Sequence, residues 1–247
     1  MLLAVDIGNS SIKFGVFDGE TLISKSSIPA TPDLTVDNFV SALGPALDFP
    51  ISSAILCSVV PDLNEPTATF LATSLNINPL FVANDFPFGL KINYEPPEAA
   101  GTDRIVNAFA AAEKYGVPCI VCSFGTATTI DAVNKDRELL GGLIAPGMAT
   151  MAKALRLGTA KLPEIEIKPH ESVINRTTET SIRAGIVFSQ VGLVESTVAR
   201  IKNDLGGKPQ VIATGGFASM VSENTSAIDI VDENLLLDGL RMLYSRV

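Results

Sequence analysis

The chain has 247 residues, 47% hydrophobic and 18% charged, with 27 acidic against 18 basic side chains and a formal net charge of −9. A chain of this length buries a core without help from disulfides or a structural metal. Three cysteines (Cys57, Cys119, Cys122) are too few, and odd in number, for a disulfide framework, so a reducing compartment is expected. No basic stripe suggests nucleic acid as a partner. The apolar runs, about six to ten residues long, fall short of a membrane span. The opening MLLAVDIGNS lacks the basic start of a secretory signal, and a cytoplasmic protein is the expectation. An acidic chain weakly repels phosphate, so any phosphate site must be built locally from backbone N–H groups and a few cations.

In chain order, Leu2–Val5 reads as a strand, Asp6-Ile7-Gly8-Asn9-Ser10-Ser11 as a tight polar turn, and Ile12–Phe17 as a second strand. A helix is predicted from Thr35 to Leu47, buried strands at Ile55–Val60 and Pro79–Val82, and an irregular loop from Asp85 to Gly101. Thr102–Tyr115 carries apolar residues at helical spacing. Then the opening pattern returns: strand Cys119–Cys122, a turn over Ser123–Thr129, and strand Ile130–Val133. Gly141-Gly142 and Pro146-Gly147 read as turns, followed by a helix from Met148 to Leu157 stopped by Gly158. A long helix from about Thr178 to Leu205, a strand at Val211–Ala213 leading into Gly215-Gly216, and a last helix at Leu235–Tyr244 complete the chain. Strands alternating with helices predict an α/β fold. The repeat divides it into halves at 1–116 and 117–247.

No Walker A or GxGxxG string is present, so nucleotide binding would rest on the two Gly bends. A Gly turn flanked by hydroxyls lets backbone N–H groups approach a polyphosphate, and a carboxylate at the preceding strand end, Asp6, suits Mg²⁺ held through water. One such hairpin alone is an ordinary turn; two copies in one chain mark the actin-like ATPases. In Gly101-Thr102-Asp103-Arg104, Thr102 or Asp103 can cap the following helix, or Asp103 can be catalytic. Arg104 opposes the helix dipole and calls for an anion, whether Asp103, Glu98 or a ligand. Gly215-Gly216 either admits an adenine or ribose or simply turns the chain. Cys119 and Cys122 point to opposite faces of a strand and read as core. His170, the one histidine, reads as a surface residue. Gly185 and Gly192 mark a face of the long helix for a dimer seam or internal packing.

Several strings, in order, resemble the type III pantothenate kinases of the actin-like superfamily. They are AVDIGNSSIKFGVFDG (Ala4–Gly19), Tyr94 ahead of GTDRIVNAFAA (Gly101–Ala111), SFGTATTID (Ser123–Asp131), GGLIAPG (Gly141–Gly147), TAKLP (Thr159–Pro163), Thr178, TGGFA (Thr214–Ala218) and LLLDGLRMLY. The resemblance runs end to end and implies two RNase-H-like halves with a nucleotide cleft between them, a homodimer, and ATP-dependent phosphorylation of pantothenate to 4'-phosphopantothenate, the first step towards coenzyme A. It implies that Asp6, Ile7, Gly8, Asn9, Ser10, Ser11, Ile12 and Lys13 form the first phosphate loop and that Thr126, with Gly215 and Gly216, serves ATP. Tyr94, Gly101, Thr102, Asp103, Arg104 and Thr178 would hold pantothenate, with Asp103 as general base. The family places Asp, the ligand of a monovalent cation (potassium or ammonium), where this chain has Ser123, and Gly where it has Ser189. Asp6 facing Ser123 in the repeat shows the same loss of charge. Two other readings stay open: a catalytically impaired regulatory relative that binds nucleotide or pantothenate, and an actin-like kinase for another small alcohol.

Overall fold

The computed structural model describes residues 1–247, the side chain of Pro45 excepted. The backbone forms two compact units. One comprises Met1–Leu90, Tyr94–Ala110 and Asn234–Val247, the other Lys91–Asn93 and Ala111–Glu233.

In the first unit a five-stranded sheet has the order β3-β2-β1-β4-β5, built from β1 (Leu2–Ile7), β2 (Ser11–Asp18), β3 (Thr21–Pro29), β4 (Ser53–Ser58) and β5 (Leu80–Phe81). Strand β1 runs antiparallel to β2 and parallel to β4, and every one of its residues is buried, as expected of a strand covered on both faces. Alternation sends Leu3, Val5 and Ile7 into a core with Phe39 of α1 (Val36–Leu43) and Phe70 of α2 (Asn64–Leu75). The Phe39 and Phe70 rings stack with centroids 4.9 Å apart. Helix α1 starts at a capping box, in which Thr35 N–H donates to Asn38 Oδ1 at 2.8 Å and Asn38 N–H to Thr35 Oγ1 at 3.4 Å. The α-helix stops at Leu43, where Gly44 takes φ +44°, and a 3₁₀ helix over Gly44–Asp48 carries on the predicted helical stretch. The opposite face of the sheet meets α7 (Leu235–Tyr244), whose Leu235, Leu237, Leu240 and Leu243 are buried and which packs on β1 and β4. The C-terminal segment therefore sits with the N-terminal strands, although sequence order assigned it to residues 117–247.

The second unit carries a six-stranded sheet, β11-β10-β7-β8-β9-β6, from β6 (Lys91–Ile92), β7 (Cys119–Phe124), β8 (Ala127–Val133), β9 (Glu138–Pro146), β10 (Gln210–Thr214) and β11 (Ile230–Val231). Apart from β6, the order and strand directions reproduce those of the first sheet, with β7 and β8 taking the places of β1 and β2. Ile120, Cys122 and Phe124 face Ile186, Val194 and Val198 of α5 (Thr178–Leu205) and Ala218 and Val221 of α6 (Ala218–Ser222). Gly141 and Gly142, expected in a turn, lie inside β9: a Cβ on Gly142 would sit 1.8 Å from Ile130 O, so glycine here permits close strand pairing. Pro146 ends the strand, and Gly147 caps α4 (Met148–Gly158). Among the described residues no helix is long and apolar enough to cross a membrane.

Helix α3 (Thr102–Tyr115) meets α7 closely at Gly239, where a Cβ would lie 2.9 Å from Val106 Cγ1 and 3.1 Å from Val106 O. Thermal denaturation is expected to show Gly239→Ala lowering the melting temperature. The overpacking cost of about 1–3 kcal/mol outweighs the gain of roughly 1 kcal/mol in helix propensity. An unchanged or raised melting temperature would contradict the close crossing.

Candidate active site

Each hairpin turn begins with a glycine N–H bonding across it. Gly8 N donates to Ser11 O at 3.0 Å, and Gly125 N to Ala127 O at 3.0 Å. The first turn is one residue longer, because four residues separate the paired Ile7 and Ile12 while three separate Phe124 and Thr128. Asn9 and Ser10 are exposed in one turn and Thr126 in the other, whereas the side chains of Ile7 and Ile12 are buried in the first core. Those two isoleucines can offer a ligand only their backbone.

The rows behind the turns differ in charge. In the first sheet Lys13, Asp6 and Cys57 are register partners across β2, β1 and β4 and share the face away from the aromatic core. Asp6 is 4% exposed, and Lys13 Nζ donates to its Oδ2 at 3.2 Å. Burial pushes the Asp6 carboxyl above its ordinary range, and the charge and hydrogen bond of Lys13 pull it partly back. Cys57 is fully buried; its thiol is driven well up by burial first, then by the negative charges of Asp6 and Asp103. A hard oxygen donor at a strand end has the chemistry that suits Mg²⁺. In the second sheet the matching row is Thr129, Ser123 and Thr214, three neutral hydroxyls. Among the described residues no group of three or more His, Cys, Asp or Glu is placed to hold a metal.

Asp103 and Arg104 open α3. Gly101 has no Cβ, which here would come within 2.7 Å of Asp103 Oδ1, so the carboxylate folds back to accept the Arg104 N–H at 2.8 Å. Asp103 thus bonds to the backbone of its own first turn while remaining partly accessible. The Arg104 guanidinium lies over the Tyr94 ring, 5.3 Å from its centroid, and Nη1 donates to Tyr94 Oη at 3.4 Å. Glu98 is exposed. Sequence reasoning passed over Asn84. Its amide binds the carbonyls of Pro97, Glu98 and Ala100 and accepts from Thr102 Oγ1. A loop amide has no periodicity to betray it.

In the second unit, Thr126 O accepts from Gly147 N at 3.1 Å and from Thr150 Oγ1 at 2.6 Å. A Cβ on Gly147 would fall 2.1 Å from Gly125 O, so glycine lets the start of α4 seat against the turn. Behind it, buried Gln190 accepts from Thr128 Oγ1 at 2.6 Å and donates to Pro146 O at 3.0 Å, tying α5 to β8 and β9. Gly215, at φ +95°, is required by the backbone of Phe124, whose O would be 2.5 Å from a Cβ; Gly216 faces open space. Thr178 lies on a groove of about 700 Å³ with Met151, Leu155, Leu162, Ile182 and Ile186. Ser189 lines the same groove and returns its hydroxyl to Gly185 O. His170 is half-buried rather than on the surface, bonded to Asn175 Oδ1 at 2.8 Å. The Cys119 and Cys122 thiols are pushed up to about 12 by burial and stay inert at neutral pH.

A model of the type III pantothenate kinase family matches residues 2–200. A type III pantothenate kinase from Dehalococcoides mccartyi is 40% identical over 249 residues, covering 98% of this chain and 95% of its own. One from Brevibacillus brevis is 41% identical over 252 residues, covering 100% and 99%. Among solved structures, the inorganic polyphosphate/ATP-glucomannokinase of Arthrobacter sp. strain KM superposes with a TM-score of 0.52 at 15% identity, over 100% of this chain and 99% of its own. At that identity the likeness speaks for the actin-like fold alone.

The raised Asp6 carboxyl predicts a sign. A group whose folded pKa lies above its unfolded value costs stability at neutral pH, and the cost fades as pH falls into the ordinary carboxylate range. Asp6→Asn is therefore expected to melt higher than the parent near neutral pH, with the gap closing on acidification. A lower melting temperature at every pH would show the Lys13 pair to dominate.

Proposed function

The chain belongs to the type III pantothenate kinase family, and we propose that it phosphorylates pantothenate with ATP and Mg²⁺, using Asp103 as the general base. The observation that carries the assignment of Asp103 is its setting. It is a partly accessible carboxylate on the first turn of a helix, beside a buried guanidinium stacked on Tyr94, and its charge reaches Cys57 together with that of Asp6. In the reaction the primary hydroxyl of pantothenate gives its proton to Asp103 as its oxygen bonds to the γ-phosphorus. The bond from that phosphorus to the bridging oxygen breaks, and ADP leaves. Phosphoryl transfer asks the protein mainly for positioning and charge neutralisation. Arg104, 7% exposed, supplies the fixed positive charge that an anionic substrate requires. Tyr94, Gly101, Thr102 and Thr178 complete the substrate set. Asp6 to Lys13 grip phosphate, Asp6 would hold Mg²⁺ through water, and Thr126 with Gly215 and Gly216 serves ATP. Mg²⁺ held there would supply neutralisation of phosphate charge.

A second reading, the catalytically impaired relative, is favoured by one observation: the neutral row Thr129–Ser123–Thr214 offers no carboxylate to a monovalent cation. We also propose a cytoplasmic homodimer that binds neither nucleic acid nor membrane. Its seam is α5, where a Cβ added to Gly185 or Gly192 would meet open space, and Leu157, Val173 and Ile174 are exposed in the same unit.

ADP release with ATP, Mg²⁺ and pantothenate tests the first reading. Turnover should depend on pantothenate, and Asp103→Asn should lower kcat by about 10²–10⁴-fold while pantothenate still binds by calorimetry. Turnover unaffected by Asp103→Asn would remove the base, and binding without turnover would favour the impaired relative. Potassium and ammonium should change the parent's rate little, whereas Ser123→Asp should create a dependence on them. A parent that is inactive without either cation would contradict the neutral row. Light scattering should report a dimer, and Gly192→Leu a monomer; a dimer unchanged by that substitution would place the seam elsewhere.

A further inference from the structure

We infer that Asn84 is a positioning residue for the catalytic helix start. The inference rests on the proposed role of Asp103 and names what holds that residue in place. Residues 95–99 are exposed, proline-rich and short of regular structure, with a single 3₁₀ turn at Pro97–Ala99. Within this stretch the backbone makes two internal closures, Ala99 N to Pro96 O at 3.0 Å and Ala100 N to Pro97 O at 3.3 Å. The carbonyls of Pro97, Glu98 and Ala100 converge on one donor, Asn84 Nδ2, at 3.1, 3.2 and 2.8 Å. The other end of the same amide, Oδ1, accepts from Thr102 Oγ1 at 2.7 Å. One side chain thereby fixes both the approach to α3 and its first residue. Asp103 is the next residue along.

The chemistry is particular to a carboxamide. Converging carbonyls demand a donor, and the Thr102 hydroxyl in this orientation demands an acceptor; Asn alone among side chains of its length offers both, on a planar frame. Aspartate keeps the acceptor but sets a negative oxygen against three carbonyl oxygens. Alanine removes the shared donor and leaves Pro97 O with only its bond from Ala100 N. Because Asp103 must meet a hydroxyl at hydrogen-bond distance, a displacement of about 1 Å at the helix start is enough to cost on the order of 10²-fold in rate.

The test compares the parent with Asn84→Ala and Asn84→Asp. Asn84→Ala is expected to lower kcat with pantothenate by about tenfold or more. The KM for ATP should stay within about twofold and the melting temperature nearly unchanged. Asn84→Asp should be worse than Asn84→Ala at alkaline pH. It should recover relative to the parent as pH falls, because a protonated carboxyl again donates to the carbonyls. Deuterium exchange over residues 97–104 should speed up in Asn84→Ala. Parent-like kcat and exchange in Asn84→Ala would overturn the inference. So would a rate loss matched by equal losses in melting temperature and ATP affinity, which marks a merely structural role. If the parent itself fails to turn over pantothenate, the kinase reading falls and the exchange comparison decides alone: unchanged protection sinks the inference, lost protection sustains it.

Discussion

Burying a carboxylate at the end of a central strand is expensive, and the first unit is arranged around doing so at Asp6. The strand that carries it is covered on both faces, so its charge is stripped of nearly all its water. Lys13, the antiparallel partner, returns part of that cost; Cys57, the parallel partner, is a small neutral group that fills space without adding charge. Such a carboxylate is poor for stability and useful for chemistry, because a desolvated charge interacts strongly with whatever cation or phosphate reaches it. Asp103 adds a second negative charge to the surroundings of the same buried thiol.

The repeated architecture makes the second unit an internal control. Strand order and hairpin pairing recur, yet the row behind the second turn is Thr129–Ser123–Thr214 and carries no charge. The scaffold alone therefore does not require a buried carboxylate at this position. In the second unit the turn is held from beneath instead, by Gln190 bridging Thr128 and Pro146 and by the close seating of Gly147. Behind the turn, the first copy carries an ion pair and the second carries the Gln190 hydrogen bonds.

Much of this was legible in the sequence where a physical signal repeats. The helices at Thr102–Tyr115, Thr178–Leu205 and Leu235–Tyr244 appear with the expected bounds, since periodic apolar residues and glycine stops locate them. The two Gly bends were visible because they occur twice. Helix α2 was missed because its Asn, Glu, Pro and Thr residues mute the apolar stripe, and β9 because Gly141-Gly142 imitates a turn while serving close strand pairing. The Gly215 requirement is set by the backbone of Phe124, and the Asn84 clamp by carbonyls more than a dozen residues away. Both are tertiary facts with no local spacing to announce them.

The most direct test of pantothenate phosphorylation is the identity of the product, followed by phosphorus NMR on purified protein with ATP, Mg²⁺ and pantothenate. A new phosphate monoester resonance should grow in step with ADP and be absent when pantothenate is omitted. Inorganic phosphate as the partner of ADP, or no conversion under any cation, would contradict the proposed reaction.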